Sequence, residues 1–182
     1  MEVEVKEERA EYPEEEKFDP NLKHVLVFTM SGKPVWSRYG IEETNTAFVG
    51  ILFTIYSILD GADDEIREIE LGQGILLIFQ NYLKHHLKGR RLVFFITPPL
   101  ILVSIAFGQA NQLRNELSIV RDQILSLMSG GEIKKRYLNN SSFDLRRFIS
   151  GSEKFLHSIC DSIERFGICK YFLIFVLLTH FT

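Results

Sequence analysis

Apolar positions change their period several times along this chain, and each change marks an element. His24-Val-Leu-Val-Phe-Thr-Met30 is rich in β-branched and aromatic residues and runs into Ser31-Gly32-Lys33-Pro34, a turn signal. Val35-Trp36-Ser37-Arg38-Tyr39 resumes an alternating pattern, which predicts a β-hairpin. From Glu42 the spacing becomes helical, with Phe48, Ile51, Leu52, Ile55, Ile58 and Leu59 three or four residues apart. Glu42 and Glu43 suit the positive end of the helix dipole, and Asp60-Gly61 should end the helix because glycine accepts a left-handed cap.

Strand-like runs follow at Ile66–Leu71, Leu92–Ile96 and Leu100–Phe107, the last two parted by Pro98-Pro99, which cannot continue a ladder. Gln109–Met128 presents Leu113, Leu117, Val120, Ile124 and Leu127 at helical spacing, and Ser129-Gly130-Gly131 should stop it. A third helix is expected from Asp144, a good N-cap, burying Phe148, Phe155, Leu156, Ile159 and Ile163. The order β-β-α-β-β-β-α-α predicts an α+β fold: a five-stranded antiparallel sheet flanked by three helices, the first on one face and the later two on the other.

Composition narrows the class. A chain of 182 residues with 46% hydrophobic content suits one domain with tails. The net charge of −3 hides an acidic leader: residues 1–20 carry −6 and the remainder +3, a balance that argues against nucleic-acid binding. Residues 1–22 have too few large apolar side chains to offset ordering entropy, so they are expected to be disordered, and they lack the basic and apolar regions of a secretory signal. Cys160 and Cys169 are too few for a disulfide framework, and no paired Cys/His spacing suggests zinc. In the tail, residues 167–182, the uninterrupted apolar run Tyr171–Leu178 is eight residues long, whereas a spanning helix needs about 20. A cytosolic domain with reduced thiols is the expectation.

Candidate chemistry is sparse. Phosphate-loop, nucleophile-elbow and zinc-helix motifs are absent from the sequence, and His24, His85, His86, His157 and His180 are scattered without useful carboxylate or cysteine spacing. Adjacent histidines point to different faces of a strand or helix, so a solvated loop explains His85-His86 better than a metal or acid-base site. Ser150-Gly151-Ser152-Glu153 offers a hydroxyl but no base. Trp36 and Tyr39 suit either a binding platform or core packing, with core the default. Lys134-Lys135-Arg136 and Arg146-Arg147 form a basic cluster whose default is a solvated face and whose alternative is contact with anionic lipid or an acidic partner. No catalytic residue, cofactor site or metal site is assigned.

Three segments go beyond generic patterning: Lys23 through Gly32, Lys33 and Pro34 to Ser37-Arg38-Tyr39-Gly40; Gln123–Leu127; and Asp144-Leu145-Arg146-Arg147 with Ser150-Gly151-Ser152-Glu153. In this order they resemble the SAND family of Mon-type vacuolar and endosomal fusion proteins, over about residues 23–165. The resemblance implies the first of three longin domains, here spanning 23–166 in a truncated form. It also implies pairing with a Ccz-type longin subunit to make a guanine-nucleotide exchange factor for a late-endosomal Rab-type GTPase. Such a subunit is not an enzyme by itself. It would act from the cytoplasm, peripherally on late endosome or vacuole/lysosome membranes, in endosome maturation and vesicle fusion. The partner surface expected from the first helix and second strand comprises Phe48, Ile51, Leu52, Ile55 and Trp36. The chain departs from the family by an inserted segment, 74–88, expected to lie outside the essential pairing, and by the divergent apolar tail. The alternative is a stand-alone longin adaptor or SNARE-like trafficking protein.

Overall fold

The computed structural model describes residues 23–39, 42–60, 67–70, 90–141 and 143–165. The leader 1–22, the segment 74–88 and the tail 167–182 lie outside the described residues, as do Gly40, Ile66 and Leu71. The strands are β1 (His24–Thr29), β2 (Pro34–Ser37), β3 (Glu68–Glu70), β4 (Arg91–Thr97) and β5 (Leu100–Ala106). The helices are α1 (Glu42–Asp60), α2 (Ala110–Leu127), α3 (Gly130–Asn139), α4 (Arg146–Ile149) and α5, helical over 153–165. All five strands pair antiparallel in the order β2-β1-β5-β4-β3.

Every residue of β1 and β5 is buried, because these central strands are covered on both faces. That is why they read as continuous apolar runs although the sheet is antiparallel. Successive side chains divide between the layers. Leu26, Phe28, Ile101, Val103 and Ile105 pack with Phe48, Val49, Leu52 and Tyr56 of α1. Val25, Val27, Leu100 and Leu102 pack with Leu113, Leu117, Val120 and Ile124 of α2, and with Ile149, Leu156 and Cys160 of α4 and α5. The expected two-sided cover is therefore observed.

Two turns fix the register. Between β1 and β2, Gly32 takes φ +75°, and a Cβ there would stand 3.0 Å from the Phe53 ring of α1. Glycine serves both the positive φ and the close approach. Pro98-Pro99 turns β4 into β5, so that Thr97 pairs with Leu100. The Pro99 carbonyl accepts the Met30 N–H at 2.9 Å, tying the two hairpin tips together.

The helical layer differs from the expected pair of helices. Ser129 ends the α2 region, yet it also starts α3, its Oγ accepting the Glu132 N–H at 3.3 Å. Ser129-x-x-Glu132 is a capping-box sequence, the signal that would have found this helix. The third helix is broken in two. Asp144 Oδ1 accepts the Arg146 N–H at 3.0 Å and starts only the single turn α4. Gly151, at φ +91°, then turns the chain before α5. This break swings Phe148 and Phe155, expected in the core, to 38% and 50% exposure, while Leu145 and Ile149 are buried instead. Leu127, at the end of α2, is also exposed.

Candidate functional site

α1 carries more apolar residues than one sheet face can cover, and its geometry sorts them. Phe48, Val49, Leu52 and Tyr56 are buried against the sheet, with Ile51, Phe53, Ile55 and Leu59 half-buried along its flanks. Phe48 and Leu52, expected at a partner surface, are 2% and 0% exposed, and Trp36 is 7% exposed. These three are corrected to core residues: Phe48 and Leu52 point down the sheet-facing stripe, and Trp36 packs edge-on to His157 of α5 at 5.3 Å. Only Ile51 and Ile55 of the expected set reach the rim.

The outward face of α1 consists of Thr46, Ala47, Gly50, Thr54, Ser57 and Ile58, all exposed. From Thr44 to Leu59 the sequence has no charged residue. A helix that faced only water would be expected to carry charged and polar residues there. This face has no charge: it offers small side chains, three of them hydroxylated, and one protruding apolar group, Ile58, at 67% exposure. A Cβ added at Gly50 would meet nothing within 4 Å, so another backbone can approach closely.

The motif residues meet at the opposite layer, around β2. α4 packs on β2, bringing Leu145, Phe148 and Ile149 against Val35, and Ser31 Oγ donates to the Ser141 carbonyl at 2.8 Å. Pro34 and Ser37 bound β2, and Ser37 pairs with Leu26. Arg38 is the centre of this region, its side chain 1% exposed. Its Nη1 donates to the Lys23 carbonyl at 2.9 Å and to Glu164 Oε1 at 2.7 Å, and its Nη2 donates to Glu164 Oε2 at 2.7 Å and Asp161 Oδ1 at 2.6 Å. Burial works against the charge, but the hydrogen bonds it donates to Glu164 and Asp161, with the nearby negative charge, outweigh it and leave the Arg38 pKa raised.

Tyr39 lies beneath that guanidinium, 5.0 Å from Cζ to ring centroid, and stacks on His24 at 5.8 Å. Burial, followed by the charges of Arg38 and Arg90, lowers the His24 pKa to about 3, so the imidazole is neutral. Burial pushes the Cys160 thiol up to about 12, which keeps it protonated. A second buried tie links Lys23 Nζ to Glu116 of α2.

In the other motif, Asp144 is ion-paired with Arg146 at 3.1 Å, and the hydrogen bond from Arg146 lowers its pKa. Arg147 is exposed, Ser150-Gly151-Ser152 makes the joint, and Glu153 begins α5 on the surface. The Ser152 carbonyl accepts the Phe155 and Leu156 N–H groups at 3.0 and 3.1 Å, so this stretch starts a helix. Gly32, Arg38, Asp144 and Gly151 are thus joints and clamps of the fold. Sequence reasoning missed Asp161 and Glu164, the partners of Arg38, because nothing local in the sequence reports contacts made more than a hundred residues away. Among the described residues no group of three or more His, Cys, Asp and Glu could hold a metal ion, and no helix is long and apolar enough to cross a membrane.

Residues 23–159 match the sequence model described as the first longin domain of FUZ, MON1 and HPS1. The chain belongs to this family. Longin relatives include mouse vacuolar fusion protein MON1 homolog B, 34% identical over 155 residues, which are 84% of this chain and 25% of the relative. Human vacuolar fusion protein MON1 homolog A is 33% identical over 145 residues, 79% of this chain and 20% of the relative. Protein SAND of Takifugu rubripes is 27% identical over 152 residues, 82% of this chain and 26% of the relative. The chain therefore spans about a quarter of the length of the curated relatives it matches. The longin match begins at Lys23, beside the Arg38 clamp, and ends at Ile159, within α5.

Proposed function

We propose that this chain is a non-catalytic longin subunit that pairs through the outward face of α1 with a Ccz-type longin protein. The pair would promote nucleotide exchange on a late-endosomal Rab-type GTPase, in fusion with the vacuole or lysosome. The observation that carries the pairing is the uncharged, small-residue face Thr46, Ala47, Gly50, Thr54, Ser57 and Ile58, flanked by half-buried Ile51 and Ile55. An uncharged face of small residues admits close approach by a second backbone, and the protruding Ile58 gives that contact an apolar anchor. The vacuolar role is supported by relatives named vacuolar fusion proteins.

Exchange makes and breaks no covalent bond. It requires a surface that binds the nucleotide-free GTPase more tightly than the loaded one, which lowers nucleotide affinity by the same coupling free energy. A subunit acting this way needs contact surface and no acid, base or nucleophile. The location that follows is the cytoplasmic side of late-endosomal or vacuolar membranes.

The test combines gel filtration of this chain with a Ccz-type subunit and release of a fluorescent guanine nucleotide by this chain, the partner and both together. Complex formation that Gly50→Arg abolishes is the expected result, with release accelerated only by the pair. Release by this chain alone would overturn the two-subunit reading. Failure to bind, with capture of a SNARE or coat protein instead, would establish the adaptor alternative.

A further inference from the structure

A cleft of about 430 Å³ opens where the β3 side of the sheet meets the start of α2, on the sheet face opposite α1. That volume lies within the range of ligand sites. Three arginines line it from three elements: Arg67 just before β3, Arg91 at the start of β4 and Arg114 in the second turn of α2. Phe94 of β4 fixes two of them. Its N–H donates to the Arg67 carbonyl at 2.9 Å, and its carbonyl accepts Arg114 Nη2 at 3.0 Å. Among the described lining residues Glu68 is the one carboxylate, and its 3.6 Å separation from Arg91 Nη1 is longer than a hydrogen bond. α2 places no acidic residue in its first turn, so nothing from that wall offsets the charge. A concavity lined by one sign of charge focuses the field and concentrates the opposite ion.

We propose that this cleft takes a phosphorylated segment of a partner protein, the arginines holding its phosphoryl group. All three cations are arginine, whose planar fork matches phosphate oxygens two at a time, where lysine offers only a point charge. The rest of the lining suits a peptide. The exposed side-chain amides of Gln109 and Asn111 both donate and accept, as a peptide main chain does, and Val93 and Ala110 give an apolar floor. A nucleotide is disfavoured because no aromatic ring lines the cleft to stack a base. A bilayer is disfavoured because the charges sit in a hollow whose lining includes no protruding apolar side chain to enter the acyl boundary. This reading of the cleft is independent of the pairing read from α1.

The experiment is fluorescence polarisation of the full chain with a labelled peptide library in which phosphoserine is fixed among degenerate positions. The same library with serine, inorganic phosphate as competitor, and phosphatidylserine vesicles complete the set. Binding of the phosphorylated library alone is expected, weakened by salt. A hydrogen bond to a charged group is worth about tenfold or more in binding, so Arg67→Gln with Arg91→Gln should weaken it by at least that factor. Arg114→Gln should do the same, and the double variant keeps the test intact if loss of the Phe94 contact unfolds the single one. Lys134→Gln with Lys135→Gln, the same charge change on α3, should leave binding unchanged. Thermal unfolding checks that each variant is folded. No binding of the phosphorylated library, equal binding of the serine library, or equal loss in the α3 control would overturn the proposal. So would inorganic phosphate competing as tightly as the library binds, which would leave an anion site only, or vesicle binding through these arginines in place of peptide binding. None of these outcomes bears on the Ccz-type pairing.

Discussion

Arg38 and Glu164 meet fork to fork across 126 residues, Nη1 to Oε1 and Nη2 to Oε2 both at 2.7 Å. The guanidinium is buried, its side chain 1% exposed, while Glu164 and Asp161 are 22% and 48% exposed. The cation is therefore the partner that cannot return to water. The fork joins the end of β2 to α5 and, through the Lys23 carbonyl, to the start of β1.

The asymmetry predicts unequal costs for the two truncations. Glu164→Ala leaves a buried cation short of its bidentate partner and should destabilise by roughly 3 kcal/mol, at the low end if Asp161 compensates. Arg38→Met removes the buried charge and lets both carboxylates face solvent, so it should cost less. Urea denaturation of the two variants checks the order, and a larger loss for Arg38→Met would refute it.

Stability should fall as the medium is acidified from pH 6.5. His24 has its pKa lowered from 6.5 to about 3 by burial, so between these values the unfolded chain binds a proton that the native state does not. The contribution is complete above pH 6.5 and is lost progressively down to about 3, with a slope of at most about 1.4 kcal/mol per pH unit. Unfolding free energies from pH 7 to 4 for the native chain and His24→Leu test this. The histidine's share is the slope that the variant lacks.

Gly50 provides a substitution that separates folding from pairing. It lies within α1, where alanine is favoured over glycine by about 0.8–1 kcal/mol, and a Cβ there meets nothing within 4 Å. Gly50→Ala should raise the melting temperature of the isolated chain, and Gly50→Arg should leave it folded. A melting temperature lowered by Gly50→Ala would show that this face is already covered within the chain.

Two glycines at positive φ should respond differently to alanine. Gly151 has open space around its absent Cβ, so Gly151→Ala pays only the left-handed backbone cost of about 1–2 kcal/mol. Gly32→Ala adds the 3.0 Å approach to Phe53 and should cost more. Thermal unfolding of both variants gives the ranking.

Much of the fold was legible along the chain because its signals are local. Both hairpins were announced by alternating or apolar runs around Ser31-Gly32-Lys33-Pro34 and Pro98-Pro99, and α1 and α2 by their helical period. The helical layer was less legible. Phe148 and Leu156 are both apolar and fall at one helical spacing, yet the first is exposed and the second buried, because the joint at Gly151 separates α4 from α5 and hydrophobic spacing does not register it.

By itself the sequence determined the strands, α1 and α2, the antiparallel class and the two-sided cover, since β1 and β5 have no polar face to offer water. Only the tertiary structure decided which apolar residues of α1 are core and which are surface. Periodicity gives the angle of a side chain around a helix but not how far the opposing sheet extends beneath it. The sheet takes Phe48, Val49, Leu52 and Tyr56 and leaves Ala47, Gly50, Thr54 and Ile58 uncovered. The same limit hid the Arg38 clamp: a buried charge is tolerated only where distant carboxylates arrive, and their arrival is a property of the packed chain.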